Sequence, residues 1–152
     1  LKAVLQRVSN ASVAVDGKIC GEIKQGLLVL LGVSCGDDEK TADFLADKCS
    51  KLRIFCDEND KMNLSLLDIE GEMLVISNFT LYADSRKGKR PSYTEAARPD
   101  EANRLYEHFI SSVKKIGVKK VESGVFGADM KVSLLNDGPV TIILDTDIIM
   151  AK

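Results

Sequence analysis

Apolar and polar positions alternate over residues 3–8, with Ala3, Leu5 and Arg7 on one face and Val4, Gln6 and Val8 on the other, which predicts a β-strand. Val13 and Val15 resume the alternation, Asp16-Gly17 makes a tight turn, and Ile19, Gly21 and Ile23 return along a second strand. After Gly26, residues 27–33 form an unbroken apolar run too short for a helix, the pattern of a central strand covered on both faces. Asp37 or Asp38 caps a helix whose apolar positions Ala42, Leu45, Cys49 and Leu52 step by three and four. A short strand over 53–56, an acidic turn over 57–60 and, past Gly71, a buried strand over 73–76 follow. Pro99 opens a second helix, striped by Ala102, Leu105, Tyr106, Phe109, Ile110, Val113 and Ile116 and closed by Gly117. One more strand falls within 118–125, residues 130–135 and 140–144 form the last two, and 145–152 make a mixed tail. The order is roughly four strands, helix, two or three strands, helix, three strands. It predicts an α/β domain, a mixed sheet with two main helices clustered on one side.

Composition narrows the chemistry more than the fold. The 152 residues, 45% hydrophobic, suit one domain with its own core. Lys plus Arg number 21 against 23 Asp plus Glu, so any site for nucleic acid must be local. Cys20, Cys35, Cys49 and Cys56 show no Cys-x-x-Cys spacing and read as reduced, small buried residues. His108 is the one histidine, and it falls off the apolar stripe of its helix, so it reads as exposed and idle. A His-based triad or zinc centre has nothing else to use, and no metal or cofactor is expected. No run approaches the roughly 18 apolar residues of a membrane span, and the protein is expected to be soluble and cytoplasmic, with no membrane partner.

Three stretches carry candidate chemistry. At the end of the 73–76 strand, Ser77, Asn78, Phe79 and Thr80 place hydroxyls, an amide and backbone N–H groups at the sheet rim, as a strand-end cap or as a site. Arg86, Lys87, Lys89 and Arg90 then surround a glycine, as a solvated surface loop or as a set of phosphate contacts. Asn136-Asp137-Gly138, between the apolar runs 132–135 and 142–144, signals a hairpin, and Pro139 permits a cis peptide bond. Arg7 shares a face with Leu5, so it lies at a sheet edge or is held by a specific partner.

With residues 77–81 and 136–141 both in hand, the chain closely resembles the D-aminoacyl-tRNA deacylases, also called D-tyrosyl-tRNA deacylases. Family-like segments run along nearly its whole length: residues 6–8, 26–32, 61–65, 80–84, 90–92 and 126–130. The resemblance implies a single three-layer β/β/α domain over 1–152, with mixed sheets, acting as an isologous homodimer with active sites at the interface. It implies hydrolysis of the ester joining a D-amino acid, or mischarged glycine, to the 3′-terminal adenosine of tRNA. In that family a cis Gly-Pro reaches into the other subunit's site. Carried over, the Gly138 and Pro139 carbonyls hold the substrate's amino group and leave no room for an L side chain, with Arg7 holding the motif and Met130 beside the substrate.

The same resemblance assigns the chemistry to Ser77, Asn78, Phe79 and Thr80. Thr80 is one proposed nucleophile, but nothing recognisable activates it. The preferred route lets the 2′-hydroxyl of the terminal adenosine assist hydrolysis, while backbone N–H groups near Phe79 and Thr80 stabilise the oxyanion. Asn78 departs from the family's usual glutamine, and its shorter reach, by on the order of 1.5 Å, opens the question of what it touches. The competing readings are a non-catalytic module that binds the tRNA end, and a paralogous deacylase for mischarged L-alanine.

Overall fold

The structure is a computed structural model and describes residues 1–150; Ala151 and Lys152, the end of the expected tail, lie outside the described residues. In chain order the elements are β1 (Lys2–Val15), β2 (Lys18–Ile23), β3 (Gly26–Gly32), α1 (Glu39–Lys51), β4 (Phe55–Cys56), β5 (Met62–Leu64), β6 (Glu72–Ser77), a 3-10 turn (Phe79–Tyr82), α2 (Pro99–Ile116), β7 (Val121–Ser123), β8 (Lys131–Asp145) and α3 (Thr146–Ile149). The expected helices and most strands are present. The two strands expected between residues 3 and 15 are one continuous strand, and the reason lies in its partners.

β1 is long enough to serve three neighbours. Residues 2–8 pair antiparallel with β3, residues 11–15 pair antiparallel with β2, and β8 pairs with β1 from residue 2 to residue 14. β3, β6 and β7 then continue as parallel neighbours, so the sheet is mixed. Because successive side chains of a strand point to opposite faces, β3 and β6 feed two separate cores. Leu27, Val29, Leu31, Met73 and Val75 pack with the apolar faces of α1 and α2. Leu28, Leu74 and Ile76 pack on the other side with Val8, Ala11, Val13 and Ile23 of β1 and β2. The unbroken apolar run of β3 is thereby explained, and the layering is β, β, α.

The helices follow their sequence signals. The Asp38 carboxylate accepts from the Thr41 N–H at 2.9 Å and caps α1. Pro99 opens α2, and Gly117 ends it at a φ of 126°. The Tyr106 hydroxyl donates to the Val75 carbonyl at 2.9 Å, and burial pushes its pKa up to about 12. His108 is not idle: its Nε2 lies 2.8 Å from Asp43 Oδ1 and joins α2 to α1 beside the Arg104–Glu39 pair. The cysteines are free, but only Cys49 is buried; Cys20, Cys35 and Cys56 are exposed, because each sits at an outer or terminal strand position or in a loop.

The hairpin expected at 136–141 does not form. β8 runs through this stretch without reversing, because the segments on either side each pair with β1 rather than with each other. Val8 stands opposite Asn136 and Gln6 opposite Thr141, so two residue steps on β1 face five on β8. The surplus residues leave the ladder as a large bulge. A partner strand of this length outweighs the local turn preference of Asn-Asp-Gly.

Phe109 of α2 is fully buried at the centre of the helix-side core. Phe109→Ala is expected to lower stability by about 3–5 kcal/mol, read as a shifted denaturation midpoint with an unchanged slope.

Candidate active site

β6 ends where its ladder stops. The Asn78 N–H still donates to the Leu31 carbonyl at 2.8 Å, after which the chain turns into the 3-10 segment. The Asn78 side chain makes that turn. Its Oδ1 accepts from the Thr80 N–H at 3.2 Å and from the Thr80 hydroxyl. The short Asn78 amide therefore closes back on its own turn. This has two effects on the chemistry. The Thr80 hydroxyl proton is committed to an amide oxygen, which is no base, and the Thr80 N–H is already engaged. The Phe79 N–H has no acceptor among the described residues and stays available.

Beside this turn is a cleft of about 530 Å³, walled by Ser77, Asn78 and Phe79 on one side and by Phe126 and Met130 on the other. Tyr93 stands at its rim, edge-on to Phe79 with ring centroids 5.1 Å apart. Phe79 is 56% exposed at the mouth of this cleft. A second groove of about 420 Å³ adjoins the cleft, shares Ser77, Asn78 and Met130 with it, and is bounded by Gln6. Met130 thus sits between the two depressions.

Arg7, Gly138 and Pro139 form a separate cluster. The Gly138-Pro139 bond is cis. Gly138 has φ +155°, and a Cβ there would collide with the Val140 backbone nitrogen, so only glycine fits. Arg7 is 9% exposed and has specific partners: its Nε–H donates to the Asp137 carbonyl at 2.9 Å and an Nη1–H donates to the Ile54 carbonyl at 2.8 Å. Asp137, Gly138 and Pro139 are nonetheless exposed, and none of them lines the cleft of their own chain.

The basic residues form a third group. Backbone bonds between Asp84 and Ser92, at 2.7 and 2.9 Å, close the stem of their loop. Arg86, itself exposed, pairs with Asp84, with Nε 2.9 Å from Oδ1 and Nη2 2.6 Å from Oδ2, and that pairing holds the Asp84 carboxyl down to about 2. Lys87, Lys89 and Arg90 are exposed and make no ion pair among the described residues. Arg86, Lys87 and Arg90 border a concavity of about 620 Å³ that reaches Ser92, the neighbour of Tyr93 at the cleft. Among the described residues, no group of three or more His, Cys, Asp or Glu is arranged to hold a metal ion.

Sequence reasoning did not single out Gln6, Tyr93 or Phe126 as site residues. Phe126 lay inside a family-like block, and Gln6 alternates with Arg7 onto the opposite face of β1; Tyr93 carried no signal beyond following Ser92.

The chain is similar to known proteins over most of its length. The D-Tyr-tRNA(Tyr) deacylase family matches residues 4–145. A D-aminoacyl-tRNA deacylase of Thermosipho africanus is 59% identical over 146 residues, which cover 96% of this chain and 97% of that one. A solved structure described as a c-Myc DNA unwinding element binding protein superposes with a TM-score of 0.91 at 39% identity, covering 95% of this chain and 98% of the other. A probable eukaryotic D-amino acid tRNA deacylase, at 15% identity and a TM-score of 0.82, covering 94% of this chain and 97% of its own, shares the fold. The polar turn, the cleft and the held Gly-Pro insert thus occur in a chain that matches one family over residues 4–145, and the protein belongs to the D-Tyr-tRNA(Tyr) deacylase family.

Proposed function

We propose that this chain, as one catalytic domain, hydrolyses the ester between a D-amino acid, or mischarged glycine, and the 3′-terminal adenosine of tRNA, in the cytoplasm. The observation that carries the reading is the pairing of an exposed Gly138-Pro139 insert, held at Asp137 by Arg7, with a cleft on the same chain that this insert does not reach. A second copy reconciles them. β8 pairs with β1 on one edge only, and Leu134, Leu135 and Ile143 along it are exposed, at 38%, 58% and 71%. A long uncovered edge with apolar side chains favours pairing with another chain. In an isologous homodimer each insert then enters the other subunit's site.

The insert acts through its backbone. The carbonyls of Gly138 and Pro139 accept the substrate's ammonium group, and the rigid loop occupies the space an L side chain needs. Glycine, with no side chain, passes the same filter. Discrimination by clash does not depend on the identity of a D side chain.

For the reaction, the ester is already activated, and no protein base stands beside Thr80. The 2′-hydroxyl of the terminal adenosine assists the attack, and the Phe79 N–H stabilises the oxyanion that forms. Ser77 and Met130 border the reacting group. Asn78 holds the turn that aims Phe79, with Thr80 as its anchor. Arg86 shapes the basic loop, and Lys87, Lys89 and Arg90 meet tRNA phosphates.

Matched D- and L-aminoacyl-tRNA pairs test the reading directly. Hydrolysis of the D form is expected to be favoured in kcat/KM by about 100-fold or more, as for a clash costing about 3 kcal/mol. Binding without turnover favours the non-catalytic tRNA-end module, and faster release of L-alanine favours the paralogous activity. Thr80→Ala is expected to retain turnover, whereas a substrate lacking the terminal 2′-hydroxyl is expected to be hydrolysed slowly; an inactive, folded Thr80→Ala that still binds tRNA would restore the nucleophile reading. Replacing Lys87, Lys89 and Arg90 with alanine is expected to weaken tRNA binding and flatten its salt dependence, by a slope of about 0.7 for each phosphate no longer neutralised. Unchanged salt dependence would return the loop to plain surface.

A further inference from the structure

Adjacent residues of a strand point to opposite faces, and β1 uses this to hold the insert from both sides. Arg7 grips it at Asp137 from the helix side. Gln6 works from the other side, at the neck where the insert leaves and rejoins the ladder. Its Oε1 accepts from Asn136 Nδ2 at 2.9 Å and from the Thr141 hydroxyl at 2.7 Å, the two residues that bracket the insert. Asn136 Nδ2 also lies 3.1 Å from the Arg7 carbonyl and 3.1 Å from the Val140 carbonyl. Two backbone carbonyls facing that atom require it to be the amide nitrogen, so Gln6 must present its oxygen. One side-chain oxygen therefore ties the ladder residue before the bulge to the ladder residue after it.

We propose that Gln6, through this clasp with Asn136 and Thr141, is a positioning residue that sets the D-over-L selectivity of the enzyme. The proposal rests on the reading of residues 137–139 as the chirality filter. A filter that works by steric exclusion discriminates only as far as it resists displacement. The tip of the insert is exposed, and apart from the Arg7 contact its hold on β1 lies at the neck. Opening the neck lets the insert retreat, which admits an L side chain while leaving the Phe79 N–H and the cleft in place. Loss of the clasp thus acts on the rejected substrate more than on the accepted one.

The test compares kcat/KM on D- and L-aminoacyl-tRNA carrying the same amino acid, for full-length wild type and three variants. In Gln6→Ala the ratio of D to L is expected to fall by about 10-fold or more, mainly through faster L hydrolysis, the size expected for removing hydrogen bonds at a semi-buried site. Gln6→Glu keeps an acceptor for both donors and is expected to hold the ratio near wild type. Thr141→Val, close in shape and at an exposed strand position, removes one donor and is expected to move the ratio the same way by less; it serves as the test if Gln6→Ala fails to fold. A parallel fall of D and L activity in Gln6→Ala, an unchanged ratio, or a Gln6→Glu protein that behaves like Gln6→Ala would overturn the clasp. Wild-type protein without D preference would instead overturn the filter reading itself, a separate outcome visible before any variant is made.

Discussion

The long antiparallel pairing of β1 with β8, in which two residue steps on one strand face five on the other, is the constraint on which the rest depends. A strand ladder normally matches its partners step for step, so the surplus has to leave the sheet. What leaves is Asp137, Gly138 and Pro139, with Asp137 bonded to Arg7 of β1. Arg7 bonds to Asp137, and Gln6, its neighbour in sequence, bonds on the opposite face of the strand to the flanking Asn136 and Thr141. The result is an exposed backbone projection bonded to β1 at Asp137, Asn136 and Thr141.

The cleft is built on the same sheet by a different device. β6 is buried on both faces until Ile76, and its ladder runs out just beyond. Asn78 converts the loose end into a tight turn by accepting two donors from Thr80. An amide oxygen in that position organises the backbone without offering a proton acceptor strong enough for base catalysis. The one histidine is remote from this turn, tied between α1 and α2 by Asp43.

Charge is distributed by the same logic of local assignment. The chain is close to neutral overall, yet Lys87, Lys89 and Arg90 stand without an ion-pair partner among the described residues, in one loop whose stem ends next to the cleft. Arg86, of the same sign and in the same run, is neutralised by Asp84. A run of basic residues read from sequence is therefore not one uniform patch. All four are exposed, but Arg86 is paired with Asp84 and the other three have no ion pair among the described residues.

The sequence by itself determined the central strand β3, both main helices, the polar strand end at 77–80 and the family, because each is written in local periodicity or in contiguous motifs. Leu27 to Leu31 needed no alternation to be read as buried on two faces, and the α2 stripe is legible at a spacing of three and four. Tertiary structure alone decided that 136–141 is a bulge rather than a hairpin, that Asn78 closes on Thr80, and that Arg7 has a partner rather than solvent. Each of those outcomes turns on which chain segment arrives opposite. A local preference for turning is set by the residues of the turn, but pairing across 130 residues of sequence is set by how the whole sheet is assembled, and a ladder of many backbone hydrogen bonds outweighs one turn.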